Sequence, residues 1–341
     1  MSRVKLRGSH VLSVAQFERG DIDEIFRVAD HMEPYAQRRR VTRVLEGAIL
    51  GSMFFEASTR TRISFGSAFN LLGGEVRESV GMDSLSLVKG ESLQDTARVL
   101  SGFSDVICMR HPVAGSVAEF ASASRVPVLN GGDGSNEHPS QALLDLYTIK
   151  KEMTGRGRGI DGLRIAMIGD LRYGRTVHSL ARLLTLFDAI QVVLVSPPEL
   201  RMPAALVDEL RAAGQRVVES DNLEASIAHV DIVYSTRIQE ERFPDRSQAD
   251  LYRGRLRLNQ AIYTQYCEPN TVIMHPLPRD SRMEANELDV DLDQNPNLAI
   301  FRQTDNGLLV RMALFALVLD VAHLVDRYAR EVRWHVPGRE G

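Results

Sequence analysis

With 341 residues the chain is long enough for two domains of ordinary size, and an apolar fraction of 44% gives each a core. Lys and Arg number 41 against 45 Asp and Glu, a net charge of −4 that excludes the basic footprint of a nucleic-acid or anionic-membrane binder, so any anion affinity has to be local. Residues 1–10 lack the apolar stretch of a secretion signal, residues 312–319 are too few to cross a bilayer, and Cys108 and Cys267 show no metal-ligand spacing; the expectation is a cytoplasmic protein with free thiols and no metal.

In chain order, the first apolar run, 48–55, predicts a buried strand, and a helical pattern occupies 63–72. Between them stand Ser58, Thr59, Arg60, Thr61 and Arg62, three hydroxyls and two guanidiniums on a strand-to-helix turn. Free backbone N–H groups at a helix start favour an anion, hydroxyls donate to phosphate oxygens, and an arginine fork takes two of them at once. Taken alone, the cluster reads equally as a helix N-cap with solvated arginines. No glycine pattern ending in Gly-Lys-Ser/Thr is present, which points away from nucleoside triphosphates.

Strands at 76–79, 106–109 and 126–129 then alternate with helices at 93–100, 116–123 and 139–152, the pattern of a parallel sheet covered on both faces. The glycine-rich, basic stretch 150–159 reads as a domain boundary. Alternation restarts with strands at 164–168, 191–195, 216–218, 232–235 and 272–274 and helices at 176–187, 204–213 and 223–229. The fold class is therefore α/β, two doubly wound parallel-sheet domains joined by interdomain helices. Domain one is expected over 1–149, domain two over 150–305, with a C-terminal helix from 306 to about 330–334 packing back on the first. The charged stretch 237–262 fits neither period and reads as a mobile loop.

Ligands of open parallel sheets gather at the carboxyl ends of the strands, and six polar sets fall there. Beyond 58–62 they are Arg110-His111-Pro112, the stretch 130–141, Gly169 to Arg175, Thr236 to Gln239, and His275-Pro276-Leu277-Pro278-Arg279. His138 and Gln141 are three apart at a helix start; a histidine N–H donates to a carbonyl oxygen and a glutamine carbonyl accepts from an amide NH2, so together they suit a carbamoyl or carboxamide group. Arg175 and Arg237 could hold the two carboxylates of a diacid. Each of these residues, met singly, is more commonly a cap or a solvated surface group.

Four ordered motifs, Ser58-Thr59-Arg60-Thr61-Arg62, Met109-Arg110-His111-Pro112, His138-Pro139-Ser140-Gln141 and His275-Pro276-Leu277-Pro278-Arg279, resemble the aspartate and ornithine carbamoyltransferases over about residues 11–320. The resemblance implies transfer of a carbamoyl group from carbamoyl phosphate to an amino acid without any cofactor, and a homotrimer with active sites shared between neighbours; whether regulatory chains join it stays open. It implies that Ser58, Thr59, Arg60, Thr61 and Arg110 hold the phosphate, that Thr61, Arg110 and His138 meet the carbonyl oxygen, and that Gln141 with the backbone of Pro276, Leu277 and Pro278 meets the NH2. Arg60, Thr61, Arg110 and His138 are then the catalytic set.

The amino acid falls to Arg175, Arg237 and Gln239, with Lys89 and Ser86 (or Ser84) reaching in from the adjacent chain. Ornithine-directed members carry a His-Cys-Leu-Pro segment and an acidic Asp-Val-Trp segment. Here the corresponding residues are His275-Pro276-Leu277-Pro278 and Ser235-Thr236-Arg237-Ile238-Gln239, and positive charge there suits a second carboxylate. The expectation is aspartate as acceptor, in an early step of pyrimidine biosynthesis. A different amino-acid acceptor and a non-catalytic trimeric relative are the rival readings.

Overall fold

The structure, a computed structural model, describes residues 6–81, 90–243, 245, 250–280, 282 and 285–334. Its chain divides into two compact units, Met1–Ser140 with Asn306–Gly341, and Gln141–Asp305. The first holds α1 (Arg19–His31), α2 (Glu33–Ala36), β1 (Arg40–Thr42), β2 (Ile49–Phe54), α3 (Thr59–Leu71), β3 (Glu75–Val80), α4 (Leu93–Leu100), β4 (Val106–His111), α5 (Ser116–Ala123) and β5 (Val128–Asp133). The chain leaves it within α6 (Pro139–Thr154). In the second lie β6 (Arg164–Gly169), α7 (Arg175–Leu184), β7 (Gln191–Val195), α8 (Ala204–Ala212), β8 (Arg216–Ser220), α9 (Leu223–Ile227), β9 (Ile232–Thr236), α10 (Gln260–Tyr266) and β10 (Val272–Met274). Along α11 (Ile300–Val318) the chain returns to the first unit, where β11 (Ala329–Glu331) pairs antiparallel with β1.

Each unit is built on one parallel sheet, ordered β3-β2-β4-β5 in the first and β10-β9-β6-β7-β8 in the second. Central strands are buried on both faces, as a doubly covered sheet requires, whereas β3 and β8 expose Glu75, Arg77, Glu78, Arg216 and Glu219 at the edges. One face of the first sheet packs Met53, Ile107 and Met109 against Val117 and Phe120. On α11, Phe315 lies edge-on to Phe65 and Phe69 of α3, ring centroids 5.9 and 5.0 Å away. The second core gathers Ala166, Ile168, Val233, Ile273, Leu288 and Ile300.

Four local features depart from the sequence expectations. First, α1 precedes the first expected element, although its buried Ile22, Ile25, Phe26 and Ala29 recur at helical spacing; Asp21 accepts the N–H of Glu18 at its start. Second, Arg110 and His111 belong to β4, and Asn130 to Asp133 to β5, rather than to the loops that follow. Third, α11 ends at Val318 instead of running to 330. Gly8 N–H caps the Val318 carbonyl at 2.8 Å, Asp320 takes φ +55, and a 3-10 turn over Ala322–Tyr328 leads into β11. Fourth, the charged segment after β9 is anchored in its described part: Phe243 is buried beside Tyr173 and Tyr252, and Glu240 pairs with Arg253 at 2.8 Å and Arg282 at 2.7 Å. Among the described residues no single helix is long and apolar enough to cross a membrane.

Candidate active site

Strand order decides which of the polar sets become neighbours. In the first sheet the chain runs from β2 outward to β3 and then reverses to β4 on the opposite side of β2, so the crevice between helices opens beyond β2 and β4. Ser58 to Arg62 follow β2, and Arg110 ends β4; the two backbones meet where Phe55 N–H donates to the Arg110 carbonyl at 2.9 Å. Ser58 is the N-cap of α3, but its side chain makes no capping bond, so the hydroxyl is not committed to the helix. Thr59 and Arg60 are exposed in the first turn, Thr61 is buried, and Arg62 pairs with Glu78 at 2.8 Å.

Arg110 is mostly covered, and its guanidinium donates from Nε to Glu56 at 2.8 Å and from Nη1 to the Gly131 carbonyl at 3.4 Å. Burial draws its pKa below the ordinary arginine value, with Glu56 opposing the shift. Glu56 had no assigned role in the sequence reading; its signal is a carboxylate immediately past a buried strand, on the same edge as two arginines.

His138 is buried at the end of a loop that Asp133 organises. The Asp133 carboxylate accepts from Asn130 Nδ2 at 3.0 Å, Asn136 Nδ2 at 3.0 Å, and the N–H groups of Gly115 at 2.9 Å and Glu137 at 3.0 Å. A turn held by so many bonds presents the start of α6 in one geometry.

In the second sheet β6, β7 and β8 run outward, and the chain then returns to β9 on the other side of β6, so the reversal lies between β6 and β9. The expected anion ligands fall there: Arg175 opens α7 just after β6, and Arg237 and Gln239 follow β9. Contact between the two strand ends is close enough to demand glycine. A Cβ on Gly169, which has φ +117, would lie 2.1 Å from the Thr236 carbonyl oxygen. Buried Asp170 ties the two loops, accepting N–H bonds from Tyr173 at 2.9 Å, Arg172 at 3.2 Å and Gln239 at 3.0 Å; burial raises its pKa while those bonds pull it down. Arg237 Nη1 donates to the Ile238 carbonyl at 3.0 Å, and Gln239 Nε2 to the Arg237 carbonyl at 3.0 Å.

Beyond β10, Leu277 adopts φ +57 and its N–H is held by His275 Nδ1 at 2.8 Å. The other ring nitrogen of His275 lies 2.7 Å from Glu287 Oε1, both groups buried. Pro276, Leu277 and Pro278 are thus braced from below, by a carboxylate whose distance in sequence hid it. Gln141 sits in the first turn of α6, its Nε2 donating to buried Asp145 at 2.9 Å, four residues on. Lys89, Ser84 and Ser86 lie outside the described residues.

The model of the aspartate/ornithine carbamoyltransferase carbamoyl-phosphate-binding domain matches residues 9–151, and that of the family's Asp/Orn-binding domain matches residues 161–318. An aspartate carbamoyltransferase catalytic subunit from Saccharophagus degradans is 75% identical over 97% of this chain and 98% of its own. Among solved structures, the catalytic subunit of M. jannaschii aspartate transcarbamoylase superposes with a TM-score of 0.82 at 42% identity, covering 92% of this chain and 98% of that one. The Trypanosoma cruzi enzyme in complex with carbamoyl aspartate and phosphate gives 0.83 at 37% identity, covering 93% and 97%. With both family models matched in succession along nearly all of its length, the chain belongs to the aspartate/ornithine carbamoyltransferase family.

Proposed function

We propose that this chain transfers the carbamoyl group of carbamoyl phosphate to the amino group of L-aspartate, releasing N-carbamoyl-L-aspartate and phosphate. One observation carries the reading: in each sheet, the residues suited to an anion stand at the carboxyl ends of the two strands that flank the reversal of strand order, Ser58 to Arg62 with Arg110 in one, and Arg175 with Arg237 and Gln239 in the other. The relatives named above act on these substrates, and the T. cruzi complex holds the two products.

In this reading the first unit takes the acyl phosphate, its phosphate on Ser58, Thr59, Arg60, Thr61 and Arg110. Thr61, Arg110 and His138 meet the carbonyl oxygen; Gln141 and the backbone at Pro276, Leu277 and Pro278 meet the NH2. Aspartate is held through its carboxylates by Arg175, Arg237 and Gln239 of the second unit, and by Lys89, with Ser86, of a neighbouring chain in a trimer. The neutral amine attacks the carbonyl carbon, the oxyanion is stabilised by Arg110 and His138, the bond from carbon to phosphate oxygen breaks, and the departing phosphate takes the amine proton.

Support for the aspartate side is electrostatic: Arg237 stands where an ornithine-directed site needs acid to receive a second ammonium. Ureido-product formation by the purified protein, with carbamoyl phosphate and either aspartate or ornithine, tests the reading. Turnover with aspartate is expected; a preference for ornithine, or no turnover with aspartate, would refute it.

A further inference from the structure

Asp145 is fully buried one helical turn beyond Gln141, and three donors converge on its carboxylate. Gln141 Nε2 and Gln303 Nε2 reach Oδ1 at 2.9 and 2.6 Å, and the Tyr234 hydroxyl reaches Oδ2 at 2.7 Å. Tyr234 is buried as deeply, which keeps its phenol protonated and a donor. Gln303 passes the constraint on: its Oε1 accepts the His275 N–H at 3.0 Å, and His275 in turn holds the Leu277 N–H and meets Glu287. All of these residues lie in the second unit.

A glutamine amide is nearly symmetric in shape and asymmetric in chemistry. Which end faces a neighbour is set by hydrogen bonding alone. A carboxylate offers only lone pairs, so both glutamines have to turn NH2 toward Asp145. That leaves Gln141 with its carbonyl oxygen directed away from Asp145, and Gln303 with its oxygen on His275. Without the carboxylate Gln303 keeps only the His275 N–H to orient it, and Gln141 loses the acceptor that holds its NH2; a flipped Gln141 would present a donor where an acceptor had been.

We propose that Asp145 is a positioning residue that fixes the amide orientation of Gln141 and Gln303 and so sets the protein's preference for an acyl phosphate carrying NH2 on its carbonyl carbon. The proposal rests on the function given above, in which Gln141 and the segment after β10 read that NH2. Acetyl phosphate is the matched probe: it keeps the phosphate and carbonyl and replaces the NH2 by a methyl group that cannot donate.

The test compares binding of carbamoyl phosphate and acetyl phosphate to the full-length protein by calorimetry, before and after Asp145→Leu and Asp145→Asn. The unaltered protein is expected to prefer carbamoyl phosphate. Asp145→Leu is expected to lower that preference at least tenfold by weakening carbamoyl phosphate alone, with acetyl phosphate changed less than twofold. Asp145→Asn, which keeps an acceptor oxygen, is expected to restore part of the preference. Equal weakening of both ligands by Asp145→Leu would mark a merely structural role and overturn the proposal, as would an unchanged preference. Should that variant not fold, neutron diffraction of the unaltered protein decides: deuterium on the Gln141 atom facing Asp145 is expected, and an oxygen there overturns the inference. Equal affinity for the two phosphates in the unaltered protein would overturn the proposal as well, while turnover with aspartate, measured separately, decides the functional reading.

Discussion

Before any ligand arrives, the Arg110 fork already has a partner, Glu56. In the proposed function an incoming phosphate competes with that carboxylate, so Glu56→Gln is expected to tighten inorganic phosphate binding about threefold or more, since a charge-assisted bond is exchanged for a neutral one; titration calorimetry reads it. Arg60 is exposed in the first turn of α3, and its proposed role is charge rather than packing. Its replacement by alanine should cut kcat/KM roughly 100-fold or more, the scale of losing one preorganised stabilising group, while the melting temperature stays put. The thiols behave as passive groups: burial raises that of Cys108 far above its ordinary value and that of Cys267 to about 12. Alkylation of the native protein near pH 8 is therefore expected to be slow at both, with mass spectrometry showing rapid modification only after denaturant is added.

At the scale of elements, two contacts carry testable weight. Gly169 ends β6 before the turn that leads to Arg175 at the start of α7, at a φ that L side chains avoid and with no room beside Thr236. Gly169→Ala should destabilise the second unit by about 2–4 kcal/mol in urea titration, from strain and overlap together. Phe315, wedged between Phe65 and Phe69, should cost about 3–5 kcal/mol when cut to alanine. Elements of this kind were readable from local pattern: apolar runs marked β2, β4, β6, β7, β9 and β10, and the helices between them showed their period. What escaped was held by distant partners. The break after Val318 depends on the Gly8 N–H, and the anchoring of Phe243 depends on Tyr173, some 70 residues earlier. The polar sets were recognisable by residue type, but the buried carboxylates behind them, Asp133, Asp145, Asp170 and Glu287, look in sequence like any other surface acid.

For the molecule as a whole, acid is the condition that should matter most. Burial lowers the pKa of His10, His111 and His178 below the ordinary value of 6.5. Each binds its proton more readily unfolded than folded, so their contribution to stability is complete above pH 6.5 and is lost as pH falls from there toward the folded values. Urea midpoints between pH 7.5 and 5.5 should fall with pH, and replacing His178 by Gln should flatten the slope. The proposed trimer makes a second prediction: Lys89→Ala chains mixed with Arg60→Ala chains, each inactive alone, should recover about a quarter of the unaltered protein's activity after random exchange, because one interface in each hybrid trimer then holds both intact halves. No recovery after verified exchange would exclude a site shared between chains.

Hydrophobic periodicity and residue chemistry act over a few neighbours, so they were enough to specify two α/β repeats, the family, and the inventory of arginines, hydroxyls and amides available for an acyl phosphate and a diacid. Strand order is not a local property. Only folding places β4 beside β2 and β9 beside β6, which makes strand ends about 55 to 70 residues apart in the chain into neighbours. Burial is likewise a property of the packed molecule: it turns Asp145 from one more acid on a helix into the group that tells two glutamines which way to face.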